Sequence, residues 1–385
     1  MIPSGNLVII SPDGLTSLVG DGVGHQFVLR VRSYFVLPKI MLNPWYQLPT
    51  QYVLDSWKLE HGTLPDLLAL LFRHCNRFER DTFHGRLLFK LRRAIFVLSQ
   101  KNGILRSYRN VQHHYDIGND LFESFLDQGL NYTCADFECG ANGIDEAQQT
   151  KLLNTLRRLD VGAGQKLLEI GCGWGALSRL AAVEFGAVVT GLTLSRNQLS
   201  YAQQKAASIS SELRPRYVLE DYRQHRRGEA SIYDRIVSVG MLEHVGLRDL
   251  RTYFAQVNRL LKSDGVVLVH TIARRQVGVT NPWLSKNIFP GGYIAQEGEI
   301  VAAALSHGFE LAANTHHYGA ENYVRTLKAW DERFARSWPL FLKYRYPESV
   351  RRTYTFYFAA SEAAFREELD MRAVQFVFRR VSKKA

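Results

Sequence analysis

The chain has 385 residues, of which 46% are hydrophobic and 22% charged, and its 48 Lys or Arg against 37 Asp or Glu give a formal net charge of +11. This composition is typical of a folded protein with room for one large and one smaller domain, and it excludes a disordered chain. The positive charge favours a polyanionic partner, either a nucleic acid or an anionic membrane, without choosing between them.

Two further properties of the sequence limit the class of protein. No apolar run approaches the roughly 20 residues that a bilayer-spanning helix needs, and Met1 to Leu15 contain neither a basic region nor a continuous apolar region of a signal peptide. We therefore expect a cytoplasmic protein. Reduced thiols and no structural metal are also expected, because the cysteines are too few for a disulfide framework or a zinc site; they are Cys75, Cys134, Cys139 and Cys172.

The first elements, from Gly5 to about Leu48, show a short, β-like pattern. Leu7–Ile10 is an apolar run, a turn follows at Pro12–Gly14, and Phe27–Arg32 alternates in part between apolar and polar residues. The next stretch, Leu64–Phe72, predicts an apolar helix with Thr63 as its N-cap.

A basic stretch follows from Arg73 to Arg109, with ten Lys or Arg against Glu79 and Asp81. Its apolar residues at helical spacing are Leu87, Leu88, Leu91, Ile95 and Phe96, with Arg86, Lys90, Arg92 and Arg93 between them. This pattern predicts a basic amphipathic helix. Such a helix is more often packed on its own domain than adsorbed to anionic headgroups, and the second role gains weight only if the substrate is a lipid.

Residues Gln100–Gly103 break the helical periodicity and predict a domain boundary near residue 105. We expect residues 1–105 to form a small α+β domain that associates with lipid, and residues 106–385 to form the catalytic domain. Beyond the boundary, strand and helix patterns alternate, which predicts an α/β fold with a doubly wound, mostly parallel sheet. The predicted strands are Leu167–Gly171, Val188–Leu194, Arg216–Leu219, Arg235–Val239 and Val266–Ile272, with Val374–Val381 as an edge strand; the predicted helices include Leu177–Phe185, Gln198–Ser208 and Leu247–Leu261.

The first of these strands ends in a glycine-rich turn, Leu168–Gly175, with the sequence LEIGCGWG. Gly171 and Gly173 allow a tight turn and a close approach to a ligand at the start of the next helix. A nicotinamide-binding fold is disfavoured, because it needs the spacing GxGxxG and an acidic residue at the end of the second strand. Glu169, two residues before the first glycine, makes the pattern resemble the first motif of class I methyltransferases, although this carboxylate is also expected to brace the turn.

Six further stretches carry a more specific resemblance. They are Val111–Phe137 (VQHHYDIGNDLFESFLDQGLNYTCADF), Val189–Leu199 (VTGLTLSRNQL), Met241–Gly246 (MLEHVG), Val269–Ala273 (VHTIA), Asn287–Gly292 (NIFPGG) and Gly319–Trp330 (GAENYVRTLKAW). Together they resemble the cyclopropane fatty acyl phospholipid synthases, the family that also holds the mycolic acid methyltransferases. The resemblance runs in order from Val111 to the C-terminus and is weaker before it.

The resemblance implies S-adenosylmethionine as cofactor and a set of residues that contact it. These are Tyr132, Thr133, Glu169, Gly171, Gly173, Thr193, Leu194 and Gln198, with Tyr222 against the adenine. The implied reaction transfers the methyl group to the double bond of an unsaturated phospholipid and leaves a carbocation, from which water must be excluded. Loss of a proton from the delivered methyl group then closes a cyclopropane ring.

The resemblance also implies that the base is a bound bicarbonate. Cys134 and Ile272 would donate backbone N–H groups to it, His270 and Tyr323 would donate from their side chains, and Glu243 would accept its hydrogen. Fixed donors can hold an anion where a buried side-chain carboxylate tends to be protonated. This chain has Ser361 where the family commonly has a cysteine, so any chemistry that needs a thiolate at that position is excluded.

Several alternatives remain open from the sequence. The same methyl transfer can end in a methyl-branched or methylene acyl chain without ring closure. A nucleic-acid-binding module is disfavoured, because its aromatic residues would be interleaved with basic ones on an exposed sheet. We expect no metal site, and we interpret His113, His114, His316 and His317 as structural or surface residues. The expected partner is an anionic membrane at its inner face, and whether the chain forms a homodimer stays undecided.

Overall fold

A computed structural model of the chain describes residues 4–99, 103–115, 117–276, 278–367 and 370–381. The strands are β1 (Asn6–Ile10), β2 (Thr16–Val19), β3 (Gln26–Val31), β4 (Trp57–His61), β5 (Lys166–Ile170), β6 (Val188–Thr193), β7 (Arg216–Leu219), β8 (Tyr233–Val239), β9 (Leu261–Arg274), β10 (Phe309–Leu311), β11 (His316–His317) and β12 (Met371–Arg380). The helices are α1 (Val36–Leu42), α2 (Pro44–Val53), α3 (Leu64–Asp81), α4 (Phe83–Ser99), α5 (Ile104–Tyr115), α6 (Asn119–Glu123), α7 (Ile144–Arg158), α8 (Ala176–Phe185), α9 (Arg196–Ala206), α10 (Leu250–Leu260), α11 (Pro282–Asn287), α12 (Glu297–Leu305), α13 (Ala320–Ser337) and α14 (Glu348–Arg366).

The chain divides into two compact units, and the first combines three separate segments. These are Met1–Phe96, Val279–Ile288 and Leu327–Leu369. The first unit contains a four-stranded sheet in the order β2-β1-β3-β4, in which β1 and β3 are parallel and the other pairs antiparallel. Side chains from β3 and the fully buried Trp57 contribute to its core.

Helix α14 explains why a late segment of the chain belongs to the first unit. It packs against α3 and α2, and its Phe356 ring lies 5.4 Å from the ring of Tyr52 on α2. Arg352 of α14 donates from Nε to the Tyr52 carbonyl at 2.6 Å and pairs with Asp55 at 3.1 Å. The division predicted at residue 105 places α14 with the catalytic domain, whereas these contacts place it in a unit with the N-terminal segment.

Two details of the first unit bear on the predicted elements. The β-like pattern predicted up to Leu48 is wrong from Val36 onward, where α1 and α2 form; Pro44 begins α2 at a position where its missing N–H costs nothing. The N-cap prediction is confirmed, because the Asp66 N–H donates to Thr63 Oγ1 at 3.3 Å. Helix α3 continues beyond the predicted Phe72 to Asp81.

The predicted basic helix forms as α4, with Leu87 and Leu91 more than half exposed. The side chains of Leu88 and Ile95 lie outside the described part, as do residues 100–102 of the predicted boundary and the side chains of His113 and His114. Among the helices that the structure describes, none is both long enough and apolar enough to span a bilayer.

The second unit comprises Val97–Gly278, Phe289–Thr326 and Asp370–Ala385 and contains the large sheet. Its strand order is β10-β12-β9-β8-β5-β6-β7, and β9, β8, β5, β6 and β7 are parallel. The central strands are apolar because helices cover both faces of such a sheet. The predicted strands on this sheet are confirmed within five residues at each end, and the sheet has the predicted doubly wound, mostly parallel arrangement.

The prediction that the last strand lies at the sheet edge is wrong. β12 pairs antiparallel with β9 on one side, and β10 and β11 pair with its other side. These two outer strands have three and two residues, too few to produce an alternation of apolar and polar side chains that a sequence pattern can reveal. The interior position also explains why Val374, Phe376 and Phe378 are buried.

The order of the parallel strands locates a binding site. The connections from β5 run to β6 on one side and, later in the chain, to β8 on the other. In an open α/β sheet, a crevice forms at the carboxyl ends of the strands where the order reverses, and ligands bind there. The segments that follow β5, β6 and β8 are therefore the first place to look for a site.

Candidate active site

The glycine-rich turn after β5 is anchored to the neighbouring strand. The N–H groups of Gly171 and Cys172 both donate to the carbonyl of Leu192 on β6, at 2.9 and 2.8 Å. Gly173 has a φ of +52°, and a side-chain carbon added there would meet no atom within 4 Å. The turn thus presents bare backbone toward open space at the N-terminus of α8, the arrangement that a bound ligand requires.

The segment after β6 is held by its own polar side chains. Thr193 donates from Oγ1 to Gln198 Oε1 at 2.8 Å, and Ser195 caps α9 by accepting the Gln198 N–H at 3.2 Å. Thr193, Ser195 and Gln198 are all buried. These bonds fix Leu194, which lies between them, at the same edge of the sheet as the glycine-rich turn.

Tyr132 and Thr133 lie on the segment that precedes α7. The Tyr132 ring packs against Phe122 and Phe125, with centroids 5.5 and 5.8 Å apart. Gln148 of α7 donates to the Thr133 carbonyl at 2.9 Å. Contacts from two directions therefore fix the backbone of this segment.

Two buried groups of opposite charge lie beside this segment. Lys151 of α7 is 1% exposed and donates from Nζ to Thr133 Oγ1 at 2.9 Å. Burial lowers the pKa of Lys151 to about 8 and raises the pKa of Glu169 to about 7, although each charge favours the ionised form of the other. Glu169 accepts a hydrogen bond from Ser178 Oγ on α8, so it also braces the turn, as expected.

One cavity of about 150 Å³ joins these segments. All nine residues for which the resemblance implies cofactor contact line it: Tyr132, Thr133, Glu169, Gly171, Gly173, Thr193, Leu194, Gln198 and Tyr222. Tyr222 is buried, and the guanidinium of Arg223 lies 5.4 Å from its ring centroid. The wall thus combines bare glycine backbone, an aromatic face and an acidic group, which suits a nucleoside with a cationic tail.

A second group of predicted residues lies next to the cavity wall, around Glu243. Glu243 is in a short turn after β8, between the wall residues Met241 and His244. Its Oε1 accepts the Ile272 N–H at 2.7 Å. Its Oε2 is buried and has no hydrogen-bond partner within the described residues, and burial raises the pKa of this carboxyl.

The pairing of Glu243 with Ile272 differs from the predicted arrangement. The resemblance implies that the Ile272 N–H donates to bicarbonate, whereas here Glu243 accepts this N–H. The unpartnered Glu243 Oε2 nevertheless needs a hydrogen donor, and the hydroxyl of a bicarbonate is a suitable one. The residues present therefore fit this anion through Glu243 more directly than through Ile272.

The remaining predicted catalytic residues belong to different units: Cys134, His270 and Tyr323 to the second, and Ser361 to the first. His270 on β9 is 2% exposed, Cys134 is 1% exposed, and Tyr323 on α13 is buried. Thr326, one turn beyond Tyr323, accepts the Ala135 N–H at 3.0 Å, so the start of α13 adjoins the Cys134 segment. Ser361 lies on α14 and belongs to the first unit.

Sequence reasoning missed Lys151, which lines the cavity. His244, whose position after a strand favours a functional role, also lines the cavity, and burial lowers its pKa to about 4. A signal for Lys151 existed, because it lies four residues after Ala147 on the buried face of α7, where the helical period calls for an apolar side chain. His316 and His317, interpreted as structural, pair with Glu138 and Glu297.

Several known proteins resemble this chain in sequence and structure. The model of the mycolic acid cyclopropane synthetase family matches residues 104–376. The cyclopropane-fatty-acyl-phospholipid synthase of Escherichia coli strain K12 is 38% identical over 270 residues, which cover 70% of this chain and 67% of that protein. The cyclopropane mycolic acid synthase MmaA2 of Mycobacterium tuberculosis strain H37Rv is 35% identical over 246 residues, covering 60% of this chain and 83% of that one. Among solved structures, mycolic acid cyclopropane synthase CmaA1 complexed with SAH and CTAB has a TM-score of 0.64 at 31% identity, covering 71% of this chain and 98% of that chain.

Proposed function

This chain belongs to the mycolic acid cyclopropane synthetase family of S-adenosylmethionine-dependent methyltransferases, and we propose that it forms cyclopropane rings on unsaturated acyl chains of membrane phospholipids. The observation that carries this proposal is the buried Glu243 carboxylate beside the cofactor cavity, with one oxygen that lacks a donor among the described residues. Such an acceptor can orient a bound base, and a base is needed because the carbocation left by methyl transfer must lose a proton before a stable product forms.

The residues of the cavity would hold the cofactor and keep water away from the reacting carbons. When bound, S-adenosylmethionine supplies an electrophilic methyl group, and bicarbonate supplies a base for the proton that the product loses. Gly171 and Gly173 would let the protein backbone contact the cofactor closely, and the Glu169 carboxylate would balance the positive charge of the cofactor. The Tyr132 ring, which packs against Phe122 and Phe125 and lines the cavity, can stabilise a cation on the acyl chain.

Around the base, this chain would supply fixed donors and one acceptor. Glu243 accepts a hydrogen through Oε2 and orients the anion, while His270 and Tyr323 donate from their side chains. Cys134 would contribute its backbone N–H. Its thiol is not used in this scheme, because burial raises the pKa of the thiol and disfavours a thiolate there. The scheme gives Ser361 no proton to take or to deliver.

The proposed substrate is a phospholipid in an anionic bilayer, with the enzyme bound peripherally at the inner face of the membrane. The support is the combination of charge and apolar surface on α4. Arg86 and Lys90 are exposed on the same helix as the exposed Leu87 and Leu91. Such a helix binds at a headgroup interface through both kinds of contact.

The proposal is tested with pure full-length protein, S-adenosylmethionine and vesicles of phosphatidylglycerol with cis-monounsaturated acyl chains. We expect a product with one added methylene that shows the hydrogenation behaviour of a cyclopropane. A methyl-branched or methylene chain of equal mass would instead support transfer without ring closure. Absence of any lipid product would overturn the phospholipid assignment.

A second arm tests the base with variants and with carbonate. Glu243→Gln keeps an oxygen for the Ile272 N–H but loses the carboxylate, so ring formation should fall by at least roughly a hundredfold while cofactor affinity stays within about twofold. Removing dissolved carbonate should slow the wild-type enzyme, and adding it back should restore the rate. Ser361→Ala should be mild; a carbonate-indifferent enzyme that is disabled by Ser361→Ala would overturn the assignment of the base.

A further inference from the structure

Gln375 is a buried polar residue that the sequence analysis did not single out. It lies on β12, directly across from His270 on β9 in the antiparallel register, and it is fully buried. Its Nε2 lies 2.8 Å from Thr155 Oγ1 and 3.1 Å from His270 Nδ1, and its Oε1 contacts Arg158 Nη1. An uncharged amide thus joins α7 to a histidine of the proposed base site.

The neighbours of Gln375 fix which end of its amide is nitrogen. Arg158 can only donate, so the amide atom that contacts it must be the oxygen. Thr155 uses its own hydrogen on the Lys151 carbonyl, at 2.7 Å, and therefore accepts from Gln375. Both constraints independently place Nε2, a donor with two hydrogens, between Thr155 and His270.

This orientation determines the protonation of the His270 ring. Since Gln375 Nε2 has only hydrogens to offer, His270 Nδ1 must be the acceptor, and the ring proton of the neutral form lies on Nε2. Burial lowers the pKa of His270 well below its ordinary value, and positive charge on Lys151, Arg158 and His316 acts in the same direction. The ring is therefore neutral and carries one proton, at Nε2.

We propose that Gln375 is a positioning residue that holds His270 in the tautomer able to donate a hydrogen bond from Nε2 to the base. This inference rests on the proposed function for the role of His270, but the tautomer itself follows from the protein's own contacts. Arg158 and Thr155 act one step further out, because they fix the amide. A histidine in the other tautomer would present a lone pair at Nε2 and repel an anion.

The tautomer is measured directly by ¹⁵N–¹H NMR of the histidine rings in full-length, histidine-labelled protein, with His270→Asn to assign the signal. We expect the Nε2–H form in the wild type. In Gln375→Glu, the Arg158 guanidinium keeps the new carboxylate ionised, so the His270 proton should move to Nδ1 and leave a lone pair at Nε2. In Gln375→Leu both tautomers should be present, while the control Gln51→Leu, which removes a buried amide of the first unit, should leave the signal unchanged.

Kinetics then separate positioning from mere stability. Gln375→Glu should lower kcat by roughly tenfold or more and Gln375→Leu by less, because Leu leaves part of the molecules in the Nε2–H tautomer; cofactor affinity should stay within about twofold in both variants. In a His270→Asn background, the same substitutions should cause no further loss, because Asn has no tautomer to control. The proposal would be overturned by an unchanged His270 signal in both variants, or by a loss of kcat in the His270→Asn background as large as the loss in the wild type. The NMR result needs no substrate, so failure to form a cyclopropane would count against the proposed function alone.

Discussion

At the scale of single residues, the cavity is built around buried charges whose protonation depends on their surroundings. Glu169 and Lys151 are both buried, and burial shifts their pKa values toward each other. A bound sulfonium cofactor adds a positive charge, which favours the ionised form of Glu169. We therefore expect cofactor binding to release a proton from Glu169 near neutral pH.

Glu169 gives a prediction about stability and pH without cofactor. Its pKa is about 7 in the folded protein and 4.5 as a free side chain, so between these pH values the folded state binds more protons than the unfolded state. The Glu169 contribution to the free energy of unfolding therefore falls as pH rises from about 4.5 to 7, by up to about 3 kcal/mol, since a tenfold change in proton affinity corresponds to about 1.4 kcal/mol. We expect the stability of Glu169→Gln minus that of the wild type to increase from pH 5 to pH 8 in urea titrations; a constant difference would contradict this.

Gly173 gives a prediction about cofactor binding. A side chain at this position projects into the open space of the cavity, so Gly173→Val should abolish S-adenosylmethionine binding measured by calorimetry. Its positive φ also costs a non-glycine residue about 1–2 kcal/mol. Gly164→Val is a matched control, because Gly164 also has a positive φ and open space where a side-chain carbon would lie, but it is in an exposed turn away from the cavity. Equal cofactor affinity in both variants would remove the basis of the loop assignment.

At the scale of elements, the sequence predicts best what is periodic. The apolar runs of β5 to β9 and the glycines after β5 show the sheet and the cofactor turn directly, because a strand buried on both faces has few polar residues. The contacts of Gln375 and Lys151 are not predictable in this way, since each is an isolated polar residue whose partners lie on other elements. The family resemblance supplied the roles of Glu243 and His270, which spacing alone does not indicate.

Helix α4 gives a prediction at this scale. Replacing Arg86, Lys90, Arg92 and Arg93 with Gln should weaken binding to anionic vesicles by at least tenfold, because each basic residue near the surface contributes about 1 kcal/mol. The guanidinium carbon of Arg92 also lies 6.0 Å from the ring centroid of Trp45, so replacing Arg92 also removes a contact within the first unit. Sedimentation with vesicles at several salt concentrations measures the effect. The control replaces four basic residues of the second unit and so changes the net charge by the same amount; they are Arg196, Lys205, Arg216 and Arg227. If the control loses as much vesicle binding, the attraction depends on net charge and not on α4.

At the scale of the whole molecule, the two units are not consecutive stretches of chain. Sequence patterns are local, so they predict a boundary where periodicity breaks, near residue 105, and cannot show that residues 327–369 return to the first unit. The contacts that bring this segment back are specific and buried. Arg352 binds the carbonyl groups of Tyr52 and Trp57, and the ring of Tyr52 lies 4.3 Å from its guanidinium carbon.

This organisation predicts the outcome of cutting the chain at the predicted boundary. A chain that begins at residue 106 retains α14 but lacks α2 and α3, against which that helix packs. Loss of these partners uncovers apolar surface around Phe356 and leaves the Arg352 guanidinium without the carbonyls and Asp55 that it binds. An exposed apolar face of this kind promotes association, so the shortened chain should aggregate or bind a hydrophobic dye, with a Tm several degrees below that of the full chain. Phe356→Ser in the shortened chain should restore part of its solubility, because it replaces an uncovered apolar ring with a polar side chain. A monomeric shortened chain with an unchanged Tm would contradict this prediction. It would show that residues 106–385 stabilise α14 without the N-terminal segment.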